Sequence, residues 1–152
     1  MDLFDIIIVG AGTAGMTSAL YSLRNGKSVL VLEGDTLGGQ IAFSPKVENY
    51  PTHKSVSGAE LADMLYEQIT ELGAQIELEK VVATTKREDG LFSVVTEYNQ
   101  YLAKSVILAT GVKHRNIGVE GVPCVIQPYQ STHHFSGTDL HRFIPDNDGI
   151  SG

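Results

Sequence analysis

Asp5-Ile6-Ile7-Ile8-Val9-Gly10-Ala11-Gly12-Thr13-Ala14-Gly15 decides how the rest of the chain is read. An apolar run enters a glycine-rich turn. A helix-like segment follows, then a second apolar run, Val29-Leu30-Val31-Leu32, which ends at Glu33 and Gly34. Strand, glycine turn, helix, strand and terminal acid come in the order an adenine dinucleotide needs. Gly10 lets the chain leave the strand sharply, Gly12 lets a pyrophosphate approach the backbone, and Gly15 lets the helix lie close to the sheet. The free N–H groups of Thr13, Ala14 and Gly15 then face the phosphates at the positive end of the helix dipole. Glu33 stands where a carboxylate can accept hydrogen bonds from a ribose diol, and an acid there favours FAD or NAD over NADP. The competing reading is a plain βαβ unit. A glycine triplet alone would not decide between the two, but here both flanks fit the nucleotide reading.

Composition sets the bounds. A chain of 152 residues suggests one domain with a real core. Its 42% hydrophobic and 19% charged residues are those of an ordinary globular protein. A net charge of −7 argues against nucleic-acid or anionic-membrane partners. No apolar run reaches bilayer length, and the N-terminal run carries Asp2 and Asp5, so it reads as a strand rather than a signal peptide. The expected location is the cytoplasm. The single cysteine, Cys124, permits no internal disulfide or CxxC pair and reads as a small packing residue.

Phe4–Val9 is continuously apolar, as a strand buried on both faces must be. Thr13 to Asn25 predicts a helix with Ala19, Leu20 and Leu23 on one face and Gly26 as its left-handed stop, and Lys27 to Leu32 predicts the next strand. Asp35 to Ser57 is long and irregular, the kind of loop that is usually functional. Within it Gly38-Gly39-Gln40 suits close approach of the backbone to a flat ligand, with a covering glycine turn as the alternative.

Ser57 and Glu60 form a capping box ahead of a helical stripe, Leu61, Met64, Leu65, Ile69 and Leu72, that Gly73 ends. Ala74 to Leu78 predicts a strand. Val81 to Lys86 and Leu91 to Thr96 predict a hairpin turned by Glu88-Asp89-Gly90. After a turn at Tyr98-Asn99-Gln100, Tyr101 to Ala103 begins a third strand, and Ser105 to Ala109 reads as a fresh, final one before Thr110-Gly111. The fold class is α/β: a Rossmann-like parallel sheet with an inserted antiparallel β-meander.

With these motifs in order, the chain resembles the FAD domain of the low-molecular-weight thioredoxin reductases, among the pyridine nucleotide–disulfide oxidoreductases; ferredoxin–NADP reductases on the same plan look similar. The marks are the glycine turn at 10–15, Glu33, Gly38-Gly39-Gln40, Val47-Glu48-Asn49-Tyr50-Pro51 and Ile107-Leu108-Ala109-Thr110-Gly111. The resemblance implies an FAD-binding domain over residues 1–121 and an irregular tail over 122–152. It implies that the glycine turn holds the FAD pyrophosphate, and that Glu33, with Gly34 behind it, holds the adenosine ribose. Gly38, Gly39 and Gln40 would lie along the ribityl chain and flavin, and Asn49 near the isoalloxazine. Val81 would offer backbone contacts to the adenine, and Ala109, Thr110 and Gly111 would close over the cofactor.

The departures shape the expectation as well. The family carries a second, NADPH-binding domain with its own glycine motif and, in thioredoxin reductases, a CxxC. Neither motif is found in this sequence, nor is a match to the C-terminal segment, with a Gly-Asp pair beside the flavin, that completes the family's FAD domain. Thr52 also stands where the family usually has glycine. The expected function is therefore an FAD-binding oxidoreductase domain that holds the flavin without delivering hydride to it. A homodimer partner or a separate chain would supply the NADPH and dithiol parts. The alternatives are a non-catalytic FAD or adenine-nucleotide binding module, a ferredoxin–NADP reductase-type fragment, and a degenerate product whose uncovered surface drives self-association.

In the tail, Asp146-Asn147-Asp148-Gly149 matches only part of a calcium loop, because Ile144 occupies the first ligand position. His133, His134 and His141 lack coherent metal-ligand spacing, and Ser131, His133 and Asp139 lack the context of a catalytic triad.

Overall fold

A computed structural model describes residues 2–112. Cys124 and the motif residues between Ser131 and Gly149 lie outside them. The elements are β1 (Leu3–Val9), α1 (Thr13–Arg24), β2 (Val29–Leu32), a 3₁₀ turn (Gly39–Phe43), α2 (Gly58–Glu71), β3 (Gln75–Glu77), β4 (Val81–Lys86), β5 (Phe92–Thr96) and β6 (Gln100–Leu108). One sheet runs in the order β3-β2-β1-β6-β5-β4. Strands β3, β2, β1 and β6 are parallel to one another; β4 and β5 are antiparallel additions.

Two apolar layers explain why β1 and β2 are continuously hydrophobic. Ile8, Val29 and Val31 face α1 and α2, where Met16, Ala19, Leu61, Leu65 and Ile69 complete one core. Ile7, Leu30 and Leu32 point the other way and pack with Phe4, Val94 and Ala103. Alternate residues thus serve opposite cores, and full burial contributes about 1.5–3 kcal/mol for each large side chain. Val94 on β5 joins the Leu30–Leu32 face although β2 is three strands away in the sheet, so the meander curls over that face.

Helix α2 begins at the expected capping box: the Glu60 N–H donates to the Ser57 hydroxyl, and the Glu60 carboxylate accepts from the Ser57 N–H. These bonds from Ser57 hold the Glu60 carboxyl below its ordinary pKa. Leu72 departs from the expected core stripe. It is the C-cap and is exposed.

The main correction concerns β6. The expected third meander strand and the final parallel strand are one continuous element. Gln100–Ala103 pairs antiparallel with β5, and the strand then runs on to Leu108 beside β1. The polar pair Lys104-Ser105, which looks like a break, binds instead of turning. The Lys104 ammonium lies 2.7 Å from Asp5 Oδ1, and the Ser105 hydroxyl donates to the Asp5 carbonyl at 3.1 Å. Among the described residues, Lys104–Leu108 pairs on one side only, and Leu108 is 71% exposed. No helix among them is long and apolar enough to cross a membrane.

Candidate functional site at the ends of the parallel strands

Strands β1, β2 and β6 end side by side, with Val9 opposite both Leu32 and Leu108. This is the carboxyl edge of an open parallel sheet, where such folds bind ligands. Gly10 leaves β1 at φ +105° and donates its N–H to the Leu32 carbonyl at 2.8 Å. A Cβ on Gly10 would stand 2.3 Å from the Ala109 carbonyl oxygen, so the end of β6 closes directly on the turn.

The loop after β2 folds back onto the same turn. Gly38 donates to the Ala11 carbonyl at 2.9 Å and bridges to Gly12. A Cβ at Gly38 would collide with that of Ala62 on α2, at 2.5 Å, so α2 presses the second glycine pair against the first. Gly39 lies over Gly12, and the Gln40 side-chain amide donates to the Val112 carbonyl.

Gly12 differs from its neighbours. Its backbone is extended (φ −75°, ψ −178°), and a Cβ on it would have the Gly38 carbonyl oxygen as its nearest neighbour, at 3.9 Å. Packing among the described residues does not require glycine at this position. Helix α1 starts here with no side-chain cap and no acidic residue in its first turn, so Thr13, Ala14 and Gly15 present main-chain N–H groups beside that space. Such an end suits an anion.

Glu33 accepts from the Ala11 N–H through Oε2 at 2.7 Å and from the Asp35 N–H through Oε1 at 2.9 Å. Each oxygen keeps a further lone pair. A Cβ on Gly34 would touch the Lys80 stem at 3.1 Å, which brings the start of β4, and hence Val81, beside the Glu33 end of the site. Thr110 and Gly111 follow the closing strand and are exposed. Asn49 is exposed on a loop closed by reciprocal bonds between Val47 and Val56, and among the described residues no hydrogen bond joins it to the glycine turns. Sequence reasoning missed the backbone bonds of Glu33 and the contact between Lys80 and Gly34. The only sequence signal for the latter was a glycine directly after the acid.

Residues 4–144 match the family model described as pyridine nucleotide-disulphide oxidoreductase, and the chain belongs to that family. It is a thioredoxin-reductase-like oxidoreductase domain, and membership of the family brings a flavin cofactor. The chain is 43% identical over 119 residues to a thioredoxin reductase of Treponema pallidum, covering 78% of this chain and 38% of the relative. Among solved structures, thioredoxin reductase from T. acidophilum superimposes with a TM-score of 0.74 at 40% identity, covering 80% of this chain and 40% of that one. The Lactococcus lactis enzyme gives 0.74 at 34% identity, covering 78% and 39%. The sequence thus spans less than half the length of these relatives.

Proposed function

We propose that residues 2–112 bind FAD and form the flavin-holding part of a reductase that passes electrons from NADPH to a protein disulfide. One observation carries the FAD reading. Gly12 has open space where its neighbours are packed tight, directly in front of the uncapped start of α1. That is the cradle a pyrophosphate needs. Gly10, Gly12, Thr13, Ala14 and Gly15 would hold the phosphates and Glu33 the ribose. Gly34 and Val81 would flank the adenine end. Gly38, Gly39, Gln40, Asn49 and Ala109-Thr110-Gly111 would line the flavin end. The bound flavin would supply the redox chemistry, while these residues bind it, orient it and exclude water.

The side of Lys104–Leu108 that pairs with no strand among the described residues supports a second part of the reading, in which a further strand, from elsewhere in the protein or from a second copy, completes the sheet there. The cytoplasm is the proposed location. The test is the absorbance spectrum of the purified protein, with the released cofactor identified. A flavin spectrum and FAD in the supernatant are expected. A colourless protein that takes up no FAD overturns the reading. Bleaching of the flavin by NADPH with this chain alone would contradict the expectation that another part delivers hydride.

A further inference from the structure

The Ala11 peptide, which leads into Gly12, is held at both ends. Its N–H donates to Glu33 Oε2 at 2.7 Å, and its carbonyl accepts from the Gly38 N–H at 2.9 Å. Ala11 is 1% exposed, so an N–H released there cannot turn to bulk water. The other Glu33 oxygen takes the Asp35 N–H at 2.9 Å, at the start of the loop that carries Gly38 and Gly39. One carboxylate therefore joins three pieces of backbone: the end of β2, the glycine turn and the Asp35 loop. Bonds from N–H groups to an ionised acceptor are about twice as strong as neutral ones.

We infer that Glu33 is a positioning residue for the glycine turn, fixing the Ala11 peptide so that Gly12 and the first amides of α1 are aimed before a ligand arrives. This rests on the dinucleotide reading and adds a role that needs no ribose. The chemistry explains why an acid and not an amide suits the position. Two N–H donors converge on the side chain, and a carboxylate offers an acceptor to each. Glutamine offers one acceptor and sets its own NH₂ against the other donor.

Two measurements on E33Q test the inference. The first is amide hydrogen exchange in the nucleotide-free protein. Exchange at Ala11 or Asp35 should quicken by about tenfold or more, since one of them loses its acceptor, while core amides such as that of Ile8 keep their rates. Unchanged exchange at both sites overturns the inference. The second compares binding of ADP and 2′,3′-dideoxy-ADP. A displaced turn weakens 2′,3′-dideoxy-ADP by about tenfold although it has no diol, and ADP, which also loses its ribose contact, by at least as much. A loss confined to ADP would mean that Glu33 acts only on the ribose, and would overturn the inference. If E33Q does not fold, E33D carries the same measurements, because a stem one methylene shorter cannot span both amides. Failure of the wild-type chain to bind either nucleotide would count against the dinucleotide reading; the exchange measurement, which needs no ligand, still decides the positioning role.

Discussion

Gly15 lies against Gly10 so closely that a Cβ on Gly15 would stand 1.9 Å from the Gly10 carbonyl oxygen. This contact seats the first turn of α1 on the end of β1. Backbone cannot yield as a flexible side chain can, so Gly15→Ala should destabilise the fold by about 2–3 kcal/mol. Gly12→Val is free of that obstacle at its Cβ, because the backbone is extended and the atom nearest a Cβ lies at 3.9 Å. Stability should stay within about 1 kcal/mol of wild type, while FAD affinity falls at least about a hundredfold, or roughly 2.7 kcal/mol. Urea denaturation and flavin titration of both variants check the contrast. Equal flavin affinity in wild type and Gly12→Val would remove the pyrophosphate assignment.

How far the sequence could be read depends on which forces wrote each segment. The alternation of Ile7 and Ile8, and of Leu30 and Val31, between two cores produced continuous apolar runs that announced parallel strands. The capping box announced α2 through local hydrogen bonding. β6 reads falsely as two strands because Lys104 and Ser105 are polar for a long-range reason, their bonds to Asp5. The pair Leu78 and Glu79 runs against the pattern. Leu78 is 65% exposed and Glu79 is buried, because the acid finds its partners on a turn far along the chain. In the site, glycine positions were legible as types. Which glycines are fixed by protein contacts and which face open space became visible only with the fold.

Thr52 is the one non-glycine among the described residues with positive φ, at +75°. A β-branched side chain is strained there, by about 1–2 kcal/mol. Glycine removes the strain but gives back part of the gain through the entropy of the unfolded chain. Thr52→Gly should therefore stabilise the protein by about 0.5–1 kcal/mol, read as a higher urea midpoint with unchanged slope. Thr52→Ala keeps a Cβ at positive φ and should gain less. A lower midpoint for Thr52→Gly would show that the Thr52 hydroxyl, 3.1 Å from His53 Nδ1, outweighs the strain.

Asp5 on β1 ties β6 to Ser28, the residue that leads into β2. The Lys104 ammonium beside it and the N–H and hydroxyl of Ser28 hold its carboxyl well below the usual carboxylate range. A group whose pKa is lowered by folding favours the native state when ionised. Its contribution is complete above the unfolded value, about 3.9, and is lost as pH falls through the lower folded value. Asp5→Asn should therefore be less stable than wild type at pH 7, and the two curves should converge as acid is added. Thermal melts between neutral pH and pH 2 measure this. A stability gap that stays constant over that range would show that the ion pair is not its source.

Glu79 organises the far end of the meander. Its carboxylate is buried and accepts from the Thr96 hydroxyl and the Asn99 side-chain amide, each at 2.5 Å, and from the Tyr101 hydroxyl at 3.4 Å. Burial, together with the nearby charges of Glu79 and Glu77, raises the Tyr101 pKa. Glu79→Ala takes the acceptor from these donors, but Glu79, Asn99 and Tyr101 line an open cleft of about 350 Å³ that water can enter, so a loss of about 1–2 kcal/mol is expected. Glu79→Gln keeps one acceptor and the side-chain volume, so about 1 kcal/mol is expected. The glutamine variant also removes one of the charges facing Tyr101, so the phenol should ionise at lower pH than in wild type, visible in the ultraviolet difference spectrum. A Tyr101 titration that does not move would mean that burial and Glu77 set it without Glu79. Glu79 would then act on this turn through its hydrogen bonds and not through its charge.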